Sequence, residues 1–74
     1  MIKKYKDQKM NMLFNGYIEY YKNGGLPLFL PDGSKNRGAS SRCAFWDGFD
    51  GVTNQHHPGM MKAVYAAGKY CKTI

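Results

Sequence analysis

Long apolar runs are missing from this chain. No stretch approaches the ~20 residues that a membrane-crossing helix needs, and the longest uncharged segment of the middle, residues 24–31, is broken by Pro27 and Pro31. The first residues carry lysines without the apolar core and small-residue cleavage site of a secretory signal. A cytoplasmic protein with no membrane partner is expected. Cysteine is scarce: Cys43 and Cys71 allow one disulfide at most, which is not the framework of a stapled secreted domain. Each falls in an apolar helical pattern and reads as a buried free thiol. A zinc site built from both with His56 and His57 would lack a Cys-x-x-Cys pair and would need adjacent histidines to ligate together, so no metal is expected. Acidic residues are few as well, five against eleven lysines and arginines, for a net charge of +6.

The residue sets of common catalytic chemistries are also missing. There is no phosphate-binding loop, dinucleotide fingerprint or nucleophile elbow, and Gly24-Gly25 is too short to cradle a phosphate. Asp47 and Asp50 are three apart and read as solvated helix carboxylates, since a catalytic pair needs a pocket to separate its pKa values. Asp32, Asp47 and Asp50 fail the spacing of a calcium loop. His57 precedes Pro58 near a helix start, where a cap or turn contact is expected, and it has no nucleophile beside it. These absences argue against an enzyme, a cofactor and a small-molecule substrate.

What is present is helical periodicity. Seventy-four residues make one small domain of a size that buries only about 60% of its unfolded surface. Over residues 8–23, Met10, Leu13, Phe14, Tyr17, Ile18 and Tyr21 form one stripe, with Asn11, Asn15, Glu19 and Lys22 opposite, and Gly24-Gly25 stops the helix. Gly16 inside it costs roughly 1 kcal/mol relative to alanine; short of being merely tolerated, it lets another helix or a ligand approach, and close packing against the helix that carries Gly48 is the favoured expectation. Residues 26–31 should run extended and bury Leu28 or Leu30; Asp32-Gly33 is a turn, and a cationic loop holding Lys35 and Arg37 follows. Ser40 or Ser41 can cap a second helix that ends at Gly51. Pro58 suits the first position of a third, with Met61, Val64, Tyr65, Gly68 and Cys71 or Lys72 inward and Ala63, Ala66 and Ala67 permitting tight contact. The expectation is an all-α, three-helix single domain over residues 1–74, with a basic arm at 1–8, a two-helix core at 9–52 and an added helix at 56–74. Met10, Met12, Met60 and Met61 read as core filler or as an adaptable binding surface, with core the favoured expectation.

The densest segment is Arg42-Cys43-Ala44-Phe45-Trp46-Asp47-Gly48-Phe49, where Phe45, Trp46 and Phe49 share a helical face and Arg42 lies one turn before them. In so short a chain these aromatics are first of all a core, and the arginine edge can stay open beside it. A charge of +6 attracts polyanions, nucleic acid above all. Phosphate contacts are assigned to Lys3, Lys4, Lys6, Lys9, Lys35, Arg37 and Arg42, and base stacking or partner contact to Tyr20 and Trp46, at the edges of their stripes. The competing reading is a protein-binding module, a phage-type inhibitor that covers a host protein with an aromatic and arginine helix face, since Trp, Tyr and Arg are the residues of binding hot spots.

Gly16-Tyr17 and Gly24, a long proline-containing connection, and then Arg42, Phe45, Gly48 and Phe49 as Arg-x-x-aromatic-x-x-Gly-aromatic resemble ribosome modulation factor and its small relatives, including ciprofloxacin-resistance-type and phage-borne proteins. The likeness covers residues 9–52. It departs in the longer 26–31 connection and in the additional C-terminal helix. The resemblance implies a two-helix unit that sits on ribosomal RNA of the small subunit and dampens translation, with basic and aromatic residues making the contact.

Overall fold

The computed structural model describes residues 5–24, 28–53, 57 and 59–74. Three helices follow one another, α1 (Gln8–Lys22), α2 (Ser40–Asp50) and α3 (Met61–Thr73), so the fold is all-α. Among the described residues none of these helices is long and apolar enough to cross a membrane.

α1 begins where the carboxylate of Asp7 accepts from the backbone N–H of Lys9 and Met10, at 2.8 and 3.4 Å, satisfying donors that the first turn leaves unpaired. Asn11, expected on the outer face, instead holds the preceding segment: its Nδ2 donates to the Tyr5 carbonyl at 2.6 Å and its Oδ1 accepts from the Tyr5 N–H. This lays the Tyr5 ring edge-on against Phe14, 5.8 Å between centroids. α2 differs from expectation at its start. Its N-cap is Ala39, with no side-chain cap, because the helix begins one residue early and the Ser41 hydroxyl accepts from Tyr17 Oη at 2.7 Å instead. It ends at Gly51, whose φ of 79° is the left-handed conformation that favours glycine. α3 starts at Met61, and Pro58 lies outside the described residues.

Of the two leucines expected to choose between burial and solvent, Leu28 is fully buried and Leu30 is exposed. Phe29 and Lys35 form an isolated antiparallel bridge. Inside it, Leu30 N–H donates to Ser34 O and Gly33 N–H to Leu30 O, both at 2.8 Å. Asp32 completes the turn by accepting from Ser34 N at 2.9 Å and Oγ at 2.6 Å; these bonds, the hydroxyl first, hold its carboxyl below the usual range.

The core gathers Phe14, Tyr17 and Ile18 of α1, Leu28, Ala44, Phe45 and Trp46, and Ala63, Val64, Ala67 and Cys71 of α3. α3 therefore closes the core. Its crossing with α2 is a reciprocal glycine contact. A methyl group at Gly48 would run into the Tyr65 carbonyl, and one at Gly68 into the Phe45 carbonyl, so both backbones touch. The partner of Gly48 is thus Gly68 and not Gly16, above which a Cβ would meet nothing within 4 Å. α1 approaches α2 through rings instead, Tyr17 stacked on Phe45 at 5.7 Å and Tyr21 tilted against Phe49 at 5.5 Å. Such bulk keeps the backbones apart.

Candidate functional site

The acidic residues are committed locally. Asp7 caps α1, Glu19 accepts from Asn23, and Asp32 serves its own turn. Asp47 and Asp50, expected to be solvated, face the cationic loop: Arg37 Nη1 meets Asp47 Oδ1 at 3.0 Å, its Nη2 meets Asp50 Oδ2 at 2.6 Å, and Lys35 Nζ meets Asp50 Oδ1 at 2.7 Å. His57 Nε2 lies 3.2 Å from Asp47 Oδ2, a contact that ties the α2–α3 connection to the same cluster. The hydrogen bond from Lys35 is the main reason that the Asp50 carboxyl is held below its ordinary range, and the hydrogen bond to Asp47 is the main reason that Arg37 is raised. Lys35 also lies 5.2 Å from the Trp46 ring centroid and 5.4 Å from that of Phe49. Two of the expected phosphate contacts are therefore already engaged within the chain.

The remaining described cations, Lys6, Lys9, Lys22, Arg42, Lys62, Lys69 and Lys72, make no ion pair with a described carboxylate, and all but the partly buried Arg42 are exposed. Lys69 sits over Tyr65 at 5.4 Å and Lys72 over Phe49 at 5.1 Å. Lys62 and Lys69 were not among the cations singled out from the sequence, although they fall outside the α3 stripe, and Lys72, weighed there as an inward position, is exposed. Lys3 and Lys4 lie outside the described residues.

Arg42 and Tyr20 come together. They line a groove of about 290 Å³ with Met12, Leu13, Gly16 and Tyr17. Tyr20 is 42% exposed and meets Tyr17 edge-on at 5.5 Å, while the Tyr17 hydroxyl is fixed by Ser41. Arg42 Nε is buried with no hydrogen-bond partner among the described residues. A second space of about 360 Å³ shares Met12 and Leu13 with it and is also lined by Lys9 and Met60. No carboxylate lines either space. Met12 is 67% exposed and Met60 is exposed too, so these two methionines are surface and not core filler.

Trp46 does not belong to this surface. It is 1% exposed, its indole N–H donates to Leu28 O at 3.1 Å, and Phe45, Phe49 and Phe29 pack edge-on around it. Burial removes both faces from any stacking partner, which corrects the expectation from its stripe position.

A shallower space of about 590 Å³ at the start of α2 is lined by Arg37, Ser40, Cys43, His57 and Met61 among others. Cys43 Sγ donates to the Arg37 carbonyl at 3.0 Å. Both cysteines are free; Cys43 is partly buried and Cys71 fully so, and desolvation pushes the Cys71 thiol up to about 11. Among the described residues no three His, Cys, Asp or Glu side chains are placed to hold a metal, and His56 lies outside them. No protein-family model, curated protein or solved structure matches the chain.

Proposed function

We propose that this protein is a small RNA-binding modulator of the ribosome that docks on ribosomal RNA of the small subunit and dampens translation in the cytoplasm. One observation carries the reading: Asp47 and Asp50 pair within the chain with Lys35, Arg37 and His57, while seven described cations make no ion pair with a described carboxylate. A surface of unpaired cations binds phosphates by releasing their counterions. Arg42 lines a groove with the half-exposed Tyr20, and Lys9 lines a second space that shares Met12 and Leu13 with it, so charge and stacking are available together, the combination that single-stranded RNA takes. The likeness to ribosome modulation factor supplies the ribosomal target. No catalytic step and no cofactor are part of this reading.

Co-sedimentation with ribosomal subunits across a salt series tests it. If about five phosphates are contacted, affinity falls roughly 100-fold between 50 and 200 mM salt, and Arg42→Ala weakens comigration further. Absence from every ribosomal fraction at low salt would overturn it. The exposed Met12 and Met60 favour one alternative, a host protein target held by an adaptable apolar patch; capture of one defined protein that survives nuclease treatment would select it.

A further inference from the structure

We infer that the groove over Gly16 is a seat for one unpaired nucleotide, with the base against Tyr20 and the bare helix backbone and the phosphate on Arg42; this deepens, and rests on, the RNA-binding reading. Glycine weakens the middle of a helix. At Gly48 and Gly68 the weakness has an internal reason, since a neighbouring backbone fills the space of the missing methyl. At Gly16, beyond the helix's own backbone and the flanking residues, nothing among the described residues lies within 4 Å of that space, and Gly16 lines the groove with Tyr20 and Arg42. The absent side chain therefore makes room for something outside the chain.

The surrounding groups describe it. Tyr17 is locked by Ser41 and by its stack on Phe45, so the floor is rigid. Tyr20 offers a half-exposed ring. Arg42 brings a cation that makes no ion pair with a described carboxylate. A flat ring joined to an anion satisfies all three at once. About 290 Å³ suits a single nucleotide, and Lys9 lines the space that shares Met12 and Leu13 with the seat. Bases within a duplex are stacked and paired, so the seat takes a loop, bulge or single strand.

The test measures binding of the full chain, by fluorescence anisotropy, to a labelled unpaired RNA oligonucleotide and to the fully paired duplex of the same length. The unpaired strand is expected to bind about tenfold more tightly, the worth of one stacked base. Gly16→Leu, which keeps a good helix former, and Tyr20→Leu should erase that preference while leaving duplex binding unchanged; Tyr20→Phe should retain it. Circular dichroism of each variant establishes that the helices persist. Equal binding of both RNAs by the unsubstituted chain, or an undiminished preference in a folded Gly16→Leu, overturns the seat and leaves the RNA reading standing. No binding to either RNA at low salt overturns both.

Discussion

Alanine at Gly48 or Gly68 should cost this fold a large part of its stability, and the same substitution at Gly16 should increase it. The perturbation is one methyl group in each case, and in each the helix gains up to about 1 kcal/mol of intrinsic propensity. At Gly16 no atom opposes the gain, so a net increase of roughly 0.5–1 kcal/mol is expected. At Gly68 the methyl carbon would lie 2.9 Å from both the Phe45 carbonyl carbon and the Phe49 nitrogen, and at Gly48 it would lie 3.0 Å from the Tyr65 carbonyl carbon and 3.2 Å from the Lys69 nitrogen. Comfortable carbon contacts are about 3.5–4.0 Å. The obstructing atoms are main chain, so relief requires α2 and α3 to part along their length, loosening Phe45, Val64 and Ala67 together. Overpacking of this kind costs about 1–3 kcal/mol, and the opened seam adds to it; a net loss of about 2–4 kcal/mol is expected. For 74 residues, total stability is on the order of 4–10 kcal/mol, and each kcal/mol moves the midpoint by about 4–8 °C. Thermal and urea melts followed by far-UV circular dichroism would show a fall of roughly 10–25 °C. Gly48→Ala and Gly68→Ala melts within a few degrees of the parent would refute the claim that the two backbones touch.

Trp46→Phe should lose about 2 kcal/mol, since it removes the indole donor and leaves the Leu28 carbonyl one hydrogen bond short in a dry site; an unchanged urea midpoint would contradict this. A disulfide-exchange reagent should label Cys43 in the folded protein and Cys71 only after unfolding. Because burial raises the Cys71 pKa from 9.0 to about 11, its contribution is complete below pH 9 and declines as pH rises toward 11. The stability difference between the parent and Cys71→Ala should shrink over that interval. Asp50 behaves in the opposite sense: hydrogen bonds from Lys35 and Arg37 depress its pKa below 3.8, so its contribution is present above that pH and is lost as pH falls below it. Asp50→Asn should cost no more than about 1 kcal/mol at pH 7, as befits an exposed cluster, and should flatten the acid limb of the stability curve; an identical limb in both proteins would remove the cluster from the account.

Features set by neighbours in sequence were legible before any coordinates. The α1 stripe, the Gly51 stop and the Asp32-Gly33 turn depend on periods and backbone conformations that a few consecutive residues define. Features set by which surfaces meet were not. Gly48 visibly requires a close neighbour, yet whether that is Gly16 or Gly68 depends on which helices cross, and the large rings between α1 and α2 decide it. Trp46 sits about 100° from Phe45 around the helix, a position that serves an edge or a core equally; the Leu28 carbonyl, 18 residues away, draws it inward. Lys35 and Arg37 look as available as Arg42 in the sequence, but their carboxylate partners lie 10 to 15 residues on. Ser41 resembled a cap because its acceptor role toward Tyr17 spans 24 residues. Within the candidate site, Tyr20, Arg42 and the room at Gly16 were legible individually, while the choice between a helix and open space over Gly16 depended on which helices cross.

The Leu28 carbonyl accepts from Trp46 Nε1 and from the Asn36 N–H, at 3.1 and 3.0 Å. Both bonds fasten the connection at its base, and the tip around Asp32 and Gly33 hangs beyond them in solvent. This makes the tip a grafting point. An affinity tag, a fluorophore-bearing peptide or a crosslinking sequence spliced between Asp32 and Gly33 would lengthen a loop whose closure cost rises only by about 0.6 kcal/mol per doubling, while the anchor at residue 28 stays intact. A probe could thus be carried on the body of the molecule, leaving the groove residues of α1 and Arg42 of α2 unaltered.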